Sequence, residues 1–524
     1  MSWQARLAVP AEHLGVLVAP AAGDIHGNLG RPPAKELQRL SLLGRPVSVW
    51  RAALRAQLGL GDPVIGTGHQ AEFFHAGVFA KLVAVSALAR QCGGNSVFLL
   101  VDSDLPRSGS LRVPEITPDG LRCAELQLPG SDPLRPVEGQ RAASRTAWQD
   151  FFAGIAARCA HYEADLLRSF AEAWLSCAAG PVDFCDALGR GLGDVARTLG
   201  LADVQMIRVS HFCQTAAFRA FAAELLMKAQ RSGECYNAAQ AAYRARHRVR
   251  TANRPVPPLL LSSERAEVPL WVYRDNGSRA RLYVAARPDH IDLFADQQPI
   301  GSLATAELAD PDRHAVPWPV EEAGWRLRPR ALALAACARL LLADLFVQGV
   351  GGAQYDEITD DWLERFLGVG AAPYCCVSAT LHLPLPRSGV GVAEVRAARR
   401  ACRDACFNPQ RHLPDLSESL LNERAALIRR SDELRRRDRR ARAERRAVFT
   451  RIREVNEQLL DCHPGRVAEL HRLADVLERQ WRQDQLALDR EYFVALHARR
   501  DLEELVSRLA EQLDARHVVV PEAR

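Results

Sequence analysis

The chain has only three lysines, Lys35, Lys81 and Lys228, among its 524 residues. Arginine supplies nearly all the positive charge, which leaves few candidates for a lysine-based mechanism. A Cys-x-x-Cys pair is missing too, although thirteen cysteines are spread along the chain. That scatter argues against a disulfide framework, and most of the thiols read as reduced core residues. Cys375-Cys376 is too tight for ordinary bridging, and Cys402-x3-Cys406 lacks the second pair that would complete a zinc site. No apolar run approaches the roughly 18 residues that span a bilayer, and MSWQARLAVPAEHLG lacks the charged start and apolar core of a secretory signal. A cytoplasmic protein without a membrane partner is expected.

Net charge is small, at +5. Arginine is nevertheless concentrated, with twelve between Arg429 and Arg453, interrupted by Asp432, Glu433, Asp438 and Glu444. Intermixed acids at helical spacing make a solvated, salt-bridged helix surface, and no aromatic-rich platform for stacking bases accompanies them. Nucleic acid is therefore not the expected partner. Gly23-Asp24-Ile25-His26-Gly27-Asn28 spells the first metal-binding element of metallophosphoesterases, but the downstream ligand elements are absent. A turn ahead of a surface helix is the expected reading, and no metal site is assigned.

What the sequence does contain is concentrated in PVIGTGHQAEFFHAGVFAKLVAVSALAR, residues 63–90. A short apolar strand at Val64-Ile65 runs into a Thr67-Gly68-His69-Gln70 turn, and His75-Ala76-Gly77 opens a helix with apolar positions at 3.6-residue spacing. Glycines allow close backbone approach, and free N–H groups at a helix start favour phosphate or carboxylate. The layout is that of a nucleotide-binding βα unit.

Four segments carry a family resemblance. The Gly68-His69-Gln70 turn with its helix, Asn95 to Asp104 (NSVFLLVDSD), Leu327-Arg328-Pro329 followed by Val350-Gly351-Gly352, and Ser378-Ala379-Thr380-Leu381 resemble, in order and spacing, segments of the cysteine-adding enzyme of bacillithiol synthesis. That family is ligase-like, with a Rossmann core and a long coiled coil. The resemblance covers nearly the whole chain, with departures at positions of interest. The family's first Gln is His69, its Gly-Gly-Pro is His75-Ala76-Gly77, the His between its two acids is Ser103, and its Pro-Gly-Glu is replaced by Ala353-Gln354-Tyr355-Asp356-Glu357. The chain is accordingly identified as a divergent relative. The resemblance implies formation of an amide (C–N) bond between cysteine, or another amino acid, and a sugar conjugate of the glucosaminyl-malate kind, and a homodimer.

The expected fold class is α/β: a Rossmann-like core with helical and β-hairpin insertions and a C-terminal antiparallel coiled-coil hairpin. Residues 1–145 hold the N-terminal region and the first half of the core. Residues 146–255 are mainly helical, with one strand at Val204 to Val209. Residues 256–325 are β-rich, and Asp275-Asn276-Gly277 predicts a tight hairpin turn. Residues 326–412 return to the core, with a helix over Leu332 to Val347, a loop at Gly349 to Gly352 and a last strand within Ala371 to Leu383. In 413–524, Leu420, Leu427, Leu434, Ala441, Val448 and Val455 fall seven residues apart, the period of a coiled-coil seam. Cys462-His463-Pro464-Gly465 breaks that arm, and a second runs from about Val467 to Leu513. Trp481, Tyr492 and Phe493 offer apolar surface that a homodimer would cover.

The motif order gathers the site at the strand carboxyl ends, with His69, Asp102 and Tyr355 meeting in one crevice. Candidate catalytic residues are His69, Gln70, Asp102 and Asp104. Thr67, Gly68, His75, Gly77, Gly351, Gly352, Gln354, Tyr355, Asp356 and Glu357 are the candidate substrate- or nucleotide-binding set. Such parts suit adenylate-forming ligation: His69 as acid or base, His75 at a phosphate, and Asp102 and Asp104 holding Mg²⁺ or orienting an amine, with ATP as co-substrate. The competing reading is non-catalytic, a dimeric coiled-coil assembly or nucleic-acid-associated protein on a degenerate Rossmann core.

Overall fold

A computed structural model describes residues 3–29, 35–177, 180–251, 256–275, 277–437 and 442–514. The protein is mixed α/β. Its main sheet has six strands: β1 (Gly15–Ala19), β2 (Val64–Gln70), β3 (Asn95–Val101), β4 (Gln205–Arg208), β5 (Leu345–Gln348) and β6 (Tyr374–Thr380). They lie in the order β1-β6-β5-β2-β3-β4, and all neighbours are parallel except the antiparallel β1 and β6. Parallel strands of this kind are covered on both faces, so they read as continuous apolar runs.

Helix α1 (Ala76–Cys92) connects β2 to β3 and is apolar on most of its surface because it is largely enclosed; thirteen of its residues are buried, Lys81 and Ser86 among them. It begins at His75, whose Nδ1 accepts the Gly77 N–H at 3.0 Å, and stops at Gly93, which takes the left-handed conformation with φ 67°. Beneath the β2–α1 connection, Phe73 packs against Phe151, Phe170, Trp174, Phe184 and Phe493 at ring separations of 4.9–6.0 Å. This aromatic cluster anchors the connection.

A second, wholly antiparallel sheet of five strands is built from Ala266–Tyr273, Ala280–Ala286, His290–Ala295, Gln298–Ala304 and Arg326–Pro329. Ala266–Tyr273 and Ala280–Ala286 pair as the expected hairpin, while Asn276 of its predicted turn lies outside the described residues. Several other boundaries differ from the sequence expectation. The segment expected as one helix over Leu332 to Val347 is helical only to Leu342, and Leu345–Gln348 is the strand β5 in the middle of the main sheet. The Gly349 to Gly352 stretch is not a loop: α2 spans Val350–Leu367 and includes residues 353–357. Thr67 to Gln70 continue β2 rather than turning, and Gly23–Asn28 lies inside the helix Ala22–Leu29.

By internal contacts the chain divides into two units, one of residues 1–113, 124–383 and 490–524, the other of 114–123 and 384–489. In the second, Val392–Phe407 runs beside Pro464–Ala487, tied by Arg399–Glu478 and by Cys402 Sγ to Leu470 O at 3.2 Å. Glu418–Arg437 pairs with Arg442–Asp461 through Arg430–Glu444 at 2.6 Å, Arg451–Glu423 at 2.8 Å and Arg424–Asn456 at 2.7 Å. Residues 430 and 444 would stand roughly 21 Å apart on one continuous helix. The expected single arm from Leu420 to Val455 therefore folds back on itself, and Ala441 of the seam lies outside the described residues. The expected second arm is cut as well: one helix ends at Ala487, and α3 (Arg499–Leu513) packs on α1 in the first unit. Of the apolar residues that the sequence offers to a homodimer, Tyr492 and Phe493 are each only 1% exposed and are covered by the chain itself, while Trp481 is partly buried.

Leu434 is buried between the paired helices. Leu434→Lys should cost about 2–4 kcal/mol by removing a packed side chain and burying an amine. Hydrogen exchange should quicken across 418–461 and stay unchanged across 64–101; uniform protection in the variant would refute the pairing.

Candidate functional site

β2, β3 and β5 end side by side, and a cleft of about 300 Å³ opens beyond them. One wall carries Gly68, His69 and Gln70 from β2, Ser103 and Asp104 from the turn after β3, and Gln348 from the end of β5. The other carries Trp271 from the strand Ala266–Tyr273, Arg279 just before the strand Ala280–Ala286 and Arg330 just after the strand Arg326–Pro329. Open α/β sheets hold ligands in this position, outside the strand carboxyl ends.

His69 Nε2 lies 3.0 Å from Glu72 Oε1, and the ring meets Phe74 edge-on. Burial lowers the imidazole below its ordinary pKa of 6.5, and the Glu72 contact only partly opposes this. A carboxylate partner at Nε2 selects the tautomer with the proton there and a lone pair on Nδ1. Neutral His69 is thus suited to accept a proton or hydrogen bond at pH 7. Asp104 is held by Gln70 Nε2 at one oxygen and Arg279 at the other, and the second oxygen also accepts the Leu105 N–H at 3.0 Å. Gln348 donates to Asp356 at 2.8 Å; a Cβ at position 352 would collide with the Gln348 side chain, so Gly352 lets it lie across the start of α2.

Several sequence candidates stand elsewhere. Asp102 and Tyr355 do not line the cleft, so His69, Asp102 and Tyr355 do not converge. Asp102 is fully buried, and its oxygens accept from Arg208 Nε at 2.9 Å, Ser210 Oγ at 2.5 Å and the Ser210 N–H at 2.9 Å. Tyr355 packs partly buried against the main core, and Gln354 is half-buried on α2. Asp356 faces Arg339 at 3.3 Å, and Glu357 accepts from Arg246 and His247. Gly351 starts α2 with open space around it. Thr67 Oγ1 donates to Val347 O at 2.6 Å, stitching β2 to β5. His75 caps α1, and a side chain at Gly77 would strike Arg490, so the helix start is filled by the chain's own groups. The carbonyl of Gly68 accepts from Lys81 Nζ at 2.5 Å, and burial pushes that amine down to about 8.

Two implied groups can be weighed against these residues. The α1 start does not fit a phosphate cradle, because His75 already takes the Gly77 N–H and Arg490 crowds it. The two acids do not fit a Mg²⁺ pair, because Asp102 is committed to Arg208 and Ser210, and Asp104 to Arg279 and Gln70. Among the described residues no group of three or more His, Cys, Asp or Glu side chains is placed to hold a metal ion. Likewise, no helix among them is long and apolar enough to cross a membrane. Neither protein-family models nor curated proteins match the chain.

Sequence reasoning missed Trp271, Arg279, Arg330, Lys81 and Gln348. Glu72 alone left a trace, three residues after His69. Trp271 and Arg330 are 59 positions apart and meet only because Arg326–Pro329 pairs antiparallel with Ala266–Tyr273, opposing Arg328 to Trp271.

Proposed function

We propose that the protein is an amide-forming enzyme, a divergent relative of the cysteine-adding enzyme of bacillithiol synthesis, acting on small charged molecules on a Rossmann-like core. The observation that carries this reading is the grouping of His69, Gln70 and Asp104 around one cleft at the ends of neighbouring parallel strands. In this reading neutral His69, oriented by Glu72, takes the proton from an attacking amine. Asp104, bridged by Gln70 and Arg279, orients that amine, and the arginine-rich wall balances anionic substrate groups. ATP and Mg²⁺ enter as co-substrates to be supplied, and no residue is assigned to hold them. Cysteine and a sugar-malate conjugate are the first substrates to try. The second unit, with its arginine-rich helices paired by acids, is assigned no part in the chemistry.

The test is amide formation followed by mass spectrometry, with cysteine, glucosaminyl-malate, ATP and Mg²⁺. His69→Ala should lower turnover by about 10²–10⁴-fold, the usual contribution of a positioned base, with an unchanged melting temperature. Absence of product from the unmodified chain, joined to calorimetry that detects no binding of these molecules, would remove the ligase reading.

A further inference from the structure

The cleft wall supplied by the five-stranded sheet contains a cation with donors to spare. Arg330 follows Pro329 at the end of its strand and lies with its guanidinium carbon 4.3 Å from the centre of the Trp271 ring. One terminal nitrogen donates to Glu267 Oε1 at 2.7 Å. The other terminal nitrogen, Nη2, and Nε are both buried and have no partner. Those two atoms form the side-on edge of a guanidinium, whose parallel N–H bonds match the two oxygens of a carboxylate. Buried donors are nearly always satisfied in folded proteins, so two unpartnered N–H groups on a residue that lines the cleft give an acceptor there a ready pair of hydrogen bonds. On the same Trp271 ring, Arg279 sits at 4.7 Å and keeps its own Nε unpartnered while holding Asp104.

We infer that Arg330, stacked on Trp271, is a carboxylate-binding and specificity-determining residue of this cleft, taking a planar carboxylate of the ligand in a bidentate grip. The inference rests on the reading of the cleft as the functional site. A small rotation of the guanidinium about its Glu267 contact turns the free edge toward the ligand. Because Glu267 already balances its charge, Arg330 holds an anion through directed hydrogen bonds more than through net charge. The fork matches two oxygens of either group, but with Glu267 already neutralising Arg330 a singly charged carboxylate group is held at less electrostatic cost than a doubly charged phosphate. Trp271 keeps the guanidinium plane fixed, so less side-chain freedom is lost on binding.

Titration of the full chain with succinate and, separately, with inorganic phosphate tests this. Succinate should bind more tightly than phosphate, and Arg330→Lys, which keeps the charge but loses the fork, should weaken succinate at least tenfold without altering the response to phosphate. Equal succinate affinity in Arg330→Lys, or no succinate binding by the unmodified chain, overturns the inference. Should the variant fail to fold, a structure of the unmodified protein with succinate decides: a carboxylate on Nε and Nη2 supports the assignment, and succinate elsewhere or absent ends it. The ligase reading fails separately. Succinate held by Arg330 in a protein that forms no amide leaves the subsite standing and that reading gone, whereas amide formation unaffected by Arg330→Lys does the reverse.

Discussion

Asp102→Ala should lower the stability of the first unit by about 3–5 kcal/mol, the usual result of stripping one partner from a buried ion pair. Asp102 has no exposed surface, and its two oxygens take three hydrogen bonds from Arg208 and Ser210. Without it, Arg208 keeps only the more exposed Asp183 and Asp186, at 3.1 and 3.3 Å, and the buried Ser210 N–H loses its acceptor. The carboxylate therefore fixes the end of β3 to β4 and so sets where Asp104 emerges. Thermal and urea unfolding measure the loss. A variant that melts like the unmodified protein but has lost ligand binding would return Asp102 to the reacting groups.

Acid should destabilise the protein steeply, most of all through two histidines, with His69 and His314, which burial also lowers, adding to the loss. His497 is fully buried with both ring nitrogens unpartnered, near His13 and His382, and burial lowers it to about 3. His75 is also lowered to about 3, first by burial and then by Arg490, with His69, Arg107 and Lys81 adding to the effect. Above pH 6.5 both are neutral whether the chain is folded or not, and the fold keeps its full stability. Between pH 6.5 and 3 the unfolded chain binds protons that the folded one refuses, so stability falls by about 1.4 kcal/mol per pH unit for each group. Near pH 4.5 the two together cost on the order of 5 kcal/mol, and the loss levels off below pH 3. His497→Phe removes one group and its orphaned nitrogens, so it should stabilise the protein at pH 7 and make the acid slope shallower. Urea titrations from pH 4.5 to 7.5 that give identical slopes for variant and parent would contradict this account.

Of the cleft, only the part supplied by the end of β2 and the turn after β3 was legible in the sequence, where the signals are local. The strand and helix at Val64 to Arg90, and the acidic end of NSVFLLVDSD, could be read because glycine, capping histidine and apolar spacing lie within a few residues of one another. β5 was hidden because Leu345-Phe346-Val347 follows the apolar run Leu340 to Ala343 with only Asp344 between them, and short apolar stretches do not distinguish a buried strand from a helix. The reversal after Arg437 was hidden because a seven-residue seam keeps its phase on either side of a bend. Asp102 looked as reactive as Asp104, since only the tertiary placement of Arg208 and Ser210 buries Asp102 away from the cleft that Asp104 lines. The arginine wall was beyond reach for a similar reason: Trp271, Arg279 and Arg330 become neighbours through sheet pairing alone.

The central claim is that small-molecule recognition takes place at the ends of β2, β3 and β5. A structure of the protein with cysteine, the sugar-malate conjugate and ATP supplied together tests it most directly. Density for at least one of these molecules between His69 and Asp104 on one side and Trp271 and Arg330 on the other is the expected result, and density only at another site, with this cleft empty, would contradict the account.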